Sequence, residues 1–397
     1  MGASSGVQLW ISTCGEHRVR HVSAAGIMST VAGTGVQEAG LNGVPATVSA
    51  IGCAGLAGTY VNATSGGVRF WVVEHANHRI REVRESGLIY PFAGNGTAGG
   101  SGDGGPAVLA GIHYPHGVTV AVDSSTGRVR MWLSEFQGNR VRSVDEVGRI
   151  SRVVGTGVVA PLTGSIGDGG AALNAMLRGP TGIAHRLRGT LGGVELWIAE
   201  FTGHRIRYVN ENGIISTIAG DGTAGFVGDS GPALSARING PHFLHVMQNT
   251  SSDNVTLWIA EFTNSCIRVI DEAGILQRVA GVCNQTGFSG DGGPALSATM
   301  SGPSGLAFVL NTTTRWASMY FTDRQNNRVR MVADVAWLPL PSASPSTSVR
   351  ASVSVPASAT PSATATASGT VDAPAIISAA STITASATTS ALAVLSA

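Results

Sequence analysis

The stretch GNGTAGGSGDGGPA, Gly94 to Ala107, separates two very different folds. Seven of its fourteen residues are glycine, and Gly94-Asn95-Gly96-Thr97-Ala98-Gly99 satisfies G-x-G-x-x-G. A dinucleotide loop of that form must open a helix whose N-terminus faces the pyrophosphate, and it occurs once. This loop instead leads toward an apolar, β-branched run, and it recurs. GSIGDGGAA (164–172), GFVGDSGPA (225–233) and GFSGDGGPA (287–295) are close copies, and GLNGVPA (40–46) is a weaker one. A loop present once per unit is scaffold before it is a cofactor site. Its glycines are expected to supply positive φ. Asp103, Asp168, Asp229 and Asp291 are expected to hydrogen-bond backbone amides there.

The units between these loops repeat as well. An R-[VI]-R element stands at Arg18, Arg79, Arg140, Arg205 and Arg328, with a degraded copy at Cys266-Ile267-Arg268. The steps between copies are 61, 61, 65, 61 and 62 residues. Each copy follows a short apolar run (QLWIS, RFWVV, RMWLS, ELWIA, TLWIA, SMYFT) and precedes a small turn and a second run. Each unit therefore reads as four short strands, a to d, bounded by Gly, Asn and Asp. No segment keeps a helical period. Six four-stranded antiparallel units closing into a ring make an all-β, six-bladed β-propeller. The first blade lacks a strand a and the last lacks a clear strand d, since Trp337-Leu338-Pro339-Leu340 contains a ladder-breaking proline. The domain reading is a propeller over 1–340 with incomplete first and last blades, then a disordered Ser/Thr/Ala/Pro-rich stalk or linker over 341–397.

Composition narrows the function. The chain has 397 residues, 12% charged residues and a net charge of +1, so no bulk field attracts nucleic acid or an anionic membrane. Every basic residue of its 25 is arginine, which codon usage explains. No apolar run reaches the ~18 residues of a membrane helix. No signal peptide precedes VQLWIS, and the start is read as truncated. MGASSG misses the myristoylation pattern because position 6 is glycine.

Asn77-His78-Arg79-Ile80, with the variants His204-Arg205-Ile206 and Asn139-Arg140-Val141, resembles the NHL-repeat family. The unit GDGGPALSATMSGPSGLAFV followed by MYFTDRQNNRVRMV is similar to long-repeat, GDGGPA-loop members. The resemblance spans roughly residues 7–335 and implies the propeller. It does not imply one activity, because such propellers include RNA binders, protein binders, sensors and a peptide-amidating lyase.

Strands alternate direction, so the d–a loops and the b–c turns share one face. The b–c turns carry Glu74, Glu135, Glu200, Glu261 and Asp323, beside the loop aspartates Asp103, Asp168, Asp229 and Asp291. These acids are candidates for a ligand-binding face, or for calcium, which takes several carboxylate oxygens. The competing reading pairs each with the arginine five residues later, as Glu200 with Arg205, and it is favoured because the feature repeats. The arginine pairs also allow single-stranded RNA, yet acids accompany them and aromatics are only 6%. On strand a, which lines the channel, stand His113, His116, His185, His242 and His245. His116 and His242 share a repeat position just after proline and are candidates for zinc, as in a metal-dependent lyase or hydrolase resembling the peptide-amidating propellers. No catalytic triad or H-E-x-x-H motif accompanies them. The reading therefore leans away from an enzyme and expects no cofactor.

Cys266 opens strand c and Cys283 follows strand d of one blade, which would bring them within disulfide range; Cys14 and Cys53 would make a second pair. Four cysteines admit three pairings, and free buried thiols are the alternative. Sequons stand at Asn62, Asn95, Asn249, Asn254, Asn284 and Asn311. Together with the mucin-like tail they point outside the cell or to its surface. The expectation is an extracellular recognition module for a protein, peptide or glycan partner, with no DNA partner and no membrane span.

Overall fold

The computed structural model describes residues 7–62, 65–162, 164, 166–188, 193–249, 252–311, 316–336, 352–356 and 392–396. They form six sheets in chain order around a ring, a six-bladed β-propeller. Blade one holds strands b to d at Gln8–Thr13, Arg18–Val22 and Met28–Ala32. In blades two to five, strands a to d run as follows. Blade two has Ala54–Val61, Val68–Glu74, Arg79–Val83 and Leu88–Ala93, and blade three has Pro115–Val122, Val129–Glu135, Arg140–Val144 and Ile150–Val154. Blade four has Pro180–Arg188, Gly193–Glu200, Arg205–Val209 and Ile215–Ala219, and blade five has Pro241–Gln248, Val255–Glu261, Cys266–Ile270 and Ile275–Ala280. Blade six has Pro303–Asn311, Trp316–Asp323 and Arg328–Ala336 as strands a to c. The a strands of neighbouring blades lie side by side and line the channel.

The local sequence explains the blade. Strand b is apolar on both faces because a blade packs against a neighbour on each side, so its residues do not alternate with polar ones. Trp71, Trp132, Trp197 and Trp258 sit in the inter-blade cores, each at most 3% exposed. Burial of each contributes roughly 4–6 kcal/mol. The b–c turn ends on a residue in the left-handed region immediately before strand c: His78, Asn139, His204, Ser265 and Asn327, with φ between 47° and 54°. Asn and His tolerate that conformation better than most side chains, which is the physical content of the N-H-R pattern.

The glycine loops run along the outer edge of the following blade. Gly104 and Gly105 bond to Ile150, and Ala107 N–H donates to Gly148 O, beside strand d of blade three. Val44–Pro45 and Gly231–Pro232 pair in the same way with strand d of blades two and five. An edge that would otherwise present free backbone groups is thereby covered. The glycine before each loop aspartate is required. At Gly102, Gly167, Gly228 and Gly290 φ is 88–102°, and a Cβ would stand 2.6–2.9 Å from the backbone of the alanine opposite.

The tail departs from expectation at two segments. Ser352–Pro356 pairs antiparallel with Arg328–Val332 as the outer strand of blade six. Leu392–Ser396 pairs parallel with Gln8–Ser12 on the channel side of blade one. The alternating Ser-Val-Ser-Val and the apolar Leu-Ala-Val-Leu carry strand patterns that the bulk composition hides. Trp337 to Leu340, the weak strand d candidate, lies outside the described residues.

Candidate functional site

The acids of the b–c turn do not form an open ring. Glu74, Glu135, Glu200, Glu261 and Asp323 each have 0% exposure. Each lies against the second arginine of its blade's R-x-R element, seven residues on, which is also buried. Arg142 meets Glu135, Arg207 meets Glu200 and Arg330 meets Asp323 at 3.3 Å, Arg268 meets Glu261 at 3.2 Å, and Arg81 meets Glu74 at 2.5 Å. The expected partner five residues on is supplementary: Arg79 reaches Glu74 at 3.0 Å, and Arg140 lies 3.4 Å from Glu135.

The glycine loop closes over the same guanidinium. Asp103, Asp168, Asp229 and Asp291 pair with Arg142, Arg207, Arg268 and Arg330 at 2.7–2.9 Å. Two loop carbonyls complete each cage, Ser101 and Gly111 around Arg142, and Ser289 and Thr299 around Arg330. The loop that resembles a phosphate cradle thus holds the protein's own cation. Each aspartate bonds an arginine, a partner the sequence reading did not name for it. Burial pushes the Glu200 and Glu261 carboxyls up to about 7, against the pull of Arg207 and Arg268. The b–c turn acids therefore leave the proposed binding face and enter the scaffold, while the loop aspartates stay exposed beside their arginines. The buried arginines also lay down no basic stripe for RNA.

The residue directly after each acid does face the channel mouth. These residues are His75, Phe136, Phe201, Phe262 and Arg324, all half-buried. Their backbone N–H groups donate to the carbonyls of Cys53, Tyr114, Gly179, Gly240 and Gly302 at 2.9–3.3 Å, which fixes them at equivalent points of the ring. Cys14 holds the corresponding position in blade one. Phe136, Phe201 and Phe262 follow one another at centroid separations of 6.4 and 6.1 Å. Arg324 lies over the Phe262 face at 5.9 Å.

Two of the expected histidines join this ring. His116 and His242 are 4.7 Å apart by centroid, and His75, which the sequence reading did not single out, is 4.9 Å from His116. His242 also stacks on Phe262 at 5.5 Å. Nδ1 of His75 donates to Pro115 O at 2.5 Å, and Nδ1 of His242 donates to Ser304 O at 3.1 Å. Burial, reinforced by the Arg324 charge, holds His75 near 4 and His242 near 3, and depresses His116 well below the usual range. All three are neutral at physiological pH, with Nε2 as the acceptor nitrogen of His75 and His242. Among the described residues no group of three or more His, Cys, Asp or Glu is arranged to hold a metal ion. The zinc candidates His116 and His242 lie beside His75 but belong to no such group, and the calcium candidates Asp103, Asp168, Asp229 and Asp291 each bond an arginine.

The remaining histidines are structural. His185 contacts Thr119 Oγ1 at 2.7 Å and stacks on Trp132, while His245 packs on Phe308 at 4.6 Å. His113 stands at the rim, 6.2 Å from His78. Both cysteine pairs are disulfides, Cys266–Cys283 within blade five and Cys14–Cys53 across the seam of blades one and two. Of the sequon asparagines, Asn62 bonds Glu85, and Asn249 and Asn254 both bond Glu272, on the a–b face away from the mouth. Asn95 instead closes an Asx turn on Thr97, and Asn284 stands at φ 64° in a loop. Asn311 ends strand a of blade six. Among the described residues no helix is long and apolar enough to cross a membrane.

No protein-family model and no curated protein matches the chain. Solved structures do resemble it. An auxiliary nutrient binding protein from Bacteroides ovatus is 15% identical over 81% of this chain and 65% of that chain, with a TM-score of 0.50. A gluconolactonase from Xanthomonas campestris is 14% identical over 80% and 82%, with a TM-score of 0.42. Virginiamycin B lyase from Staphylococcus aureus is 17% identical over 72% and 71%, with a TM-score of 0.37. These neighbours are six-bladed β-propellers, the class to which this chain's architecture belongs.

Proposed function

We propose that the chain is an NHL-type propeller that works outside the cell as a recognition module, binding its ligand at the channel mouth on the loop face. One observation carries this reading. The repeat keeps its acid, arginine and glycine loop in nearly every blade, while the next residue changes to His, Phe, Phe, Phe and Arg, and those five side chains converge on one half-open site. Aromatic faces beside hydrogen-bonding rings suit a peptide side chain or a sugar ring. Two disulfides, the exposed sequon asparagines Asn95, Asn254 and Asn284, and the Ser/Thr-rich composition of the tail support an oxidising, extracellular setting. The mouth replaces the acidic loop face as the site, and no cofactor enters the reading. The full chain, secreted from a eukaryotic host, should bind members of a peptide or glycan array. Phe201→Ala with Phe262→Ala should abolish that binding without changing the melting temperature. Binding that survives the double substitution refutes the site.

A second reading follows from the histidines. His75 and His242 are neutral, with Nδ1 committed to a carbonyl, which is the form a general base takes. Turnover of ester or lactone substrates that is lost in His242→Ala would favour a lyase or hydrolase over a pure binder.

A further inference from the structure

We infer that the mouth takes an organic carboxylate carried on an aromatic or bulky apolar group, with Arg324 pairing the carboxylate and Phe201 and Phe262 packing the apolar part. This rests on the mouth being the binding site and adds the chemistry of its ligand.

Three features of the mouth lead there. Arg324 is the one charged member of the ring of five, and among the described residues no carboxylate pairs with it. The acid of its own blade, Asp323, lies one residue earlier and is consumed by Arg330 and Asn326. The corresponding acids of the other blades are equally buried and paired. Burial pushes the Arg324 guanidinium below its usual range, a cost that a bound carboxylate would offset. A guanidinium offers a planar fork of donors whose complement is a carboxylate.

The histidines leave that charge uncompensated. His75, His116 and His242 are held neutral beside Arg324, so they contribute hydrogen-bonding atoms and neither neutralise the site nor multiply its charge. One fixed cation among apolar rings matches a monoanion with an apolar body better than a dianionic phosphate. A neutral sugar would leave the guanidinium unmatched.

Tyr114 is the third feature. It stands at φ 55°, where blades four to six have Gly179, Gly240 and Gly302 at 57°, 60° and 61°. A bulky side chain in that conformation is an outlier that the surrounding structure must hold in place. What it achieves is a ring stacked on His75 at 5.8 Å and set 6.1 Å from Phe136, which brings a phenol to the mouth opposite the phenylalanines. A glycine there, as in the other blades, would leave this wall open.

The test is ligand titration of the full chain, followed by calorimetry and by NMR of isotope-labelled histidine and phenylalanine rings. The probes are N-acetylphenylalanine, phenylacetate and N-acetylphenylalaninamide. Both acids should shift the mouth rings, and the amide should bind at least about tenfold more weakly than its acid. Arg324→Gln should erase the acid-over-amide preference, and Arg324→Lys should keep part of it. Tighter binding of N-acetylphenylalanine than of phenylacetate identifies a peptide C-terminus as the source, and the reverse identifies a free aryl acid. Equal binding of acid and amide, a preference that survives Arg324→Gln, or no acid binding at all overturns the inference. If Phe201→Ala still weakens the amide in those cases, the mouth stands as a site and only the carboxylate fails. If Arg324→Gln does not fold, the comparison of acid with amide on the unaltered protein decides.

Discussion

Replacing Glu261 by glutamine tests the claim that burial governs the arginine cages. Glu261 has no exposed surface and accepts from Arg268 at 3.2 Å, from the Asn239 N–H at 3.1 Å and from Asn264. Its carboxyl is raised from 4.5 to about 7, first by desolvation. A group raised on folding contributes stability that is complete below its unfolded value and is lost as pH rises through its folded value. The window is therefore about pH 4.5 to 7. The shift of roughly 2.5 units corresponds to about 3.4 kcal/mol at 1.36 kcal/mol per unit. At about 2.1 cal/mol/K per residue over the roughly 330 residues of the propeller, 1 kcal/mol moves the melting temperature by about 1.4 °C. The pH-dependent effect is then about 5 °C. Glutamine cannot ionise, but its NH2 group meets donors where the carboxylate accepted, a pH-independent cost of about 1–3 kcal/mol. Burial also depresses the core histidines His185 and His245 to about 3, which destabilises both proteins equally in acid. The informative quantity is the difference between variant and parent, measured by calorimetry or dye fluorescence from pH 5 to 8. Glu261→Gln should melt below the parent at pH 5 and gain on it by about 3.5 °C by pH 8, since part of the 5 °C is already lost below pH 5. A flat difference, or one that grows in the parent's favour, would show that Arg268 keeps Glu261 ionised throughout and that the ion pair outweighs desolvation.

Arg207→Met should be more damaging than any change at the glutamate, because it leaves Glu200 buried without its cation and frees the Asp168 loop. The expected cost is about 3–5 kcal/mol, or roughly 4–7 °C in the melting temperature, and a loss under 2 °C would contradict the cage. Removing the disulfides by paired Cys→Ser substitution should cost about 4 kcal/mol for Cys14–Cys53 and about 3 kcal/mol for Cys266–Cys283, following their separations of 39 and 17 residues. Denaturant melts of the two double variants check the order, and a larger loss for Cys266–Cys283 would mean that strain or residual structure outweighs chain entropy.

The sequence made the propeller legible because its strongest signals are periodic. Six copies of the R-x-R element at nearly equal steps and a recurring glycine loop state the blade count directly, and strand polarity carries the reading as far as both disulfides. Where it went astray, register was the reason. Glu200 stands opposite Arg205 in the ladder, so Arg205 was the natural partner. The loop aspartate draws Arg207 into the buried centre instead, and Arg205 turns to the carbonyls of Gly203 and Leu162. A glycine loop alone does not reveal that a guanidinium fills it. The tail strands were missed because ten residues of strand pattern vanish in the average of a Ser/Thr/Ala-rich segment.

The mouth was missed for a deeper reason, and it shows how the repeat produces a site. His75, Phe136, Phe201, Phe262 and Arg324 share no chemistry, so no motif search joins them; only superposing the blades puts them in one column. The acid just before each of them is fixed by its buried arginine, and the backbone N–H of each is fixed by a carbonyl at the start of strand a. Backbone and neighbour together determine where the side chain projects, whatever it is. The scaffold thus presents repeated, rigidly placed positions open to different side chains, and the proposed asymmetric site is made by varying the residue there from blade to blade. Tyr114 marks the limit of that freedom. It occupies a glycine's position and a glycine's conformation, so folding alone gives no account of it, and the ring it brings to the mouth does.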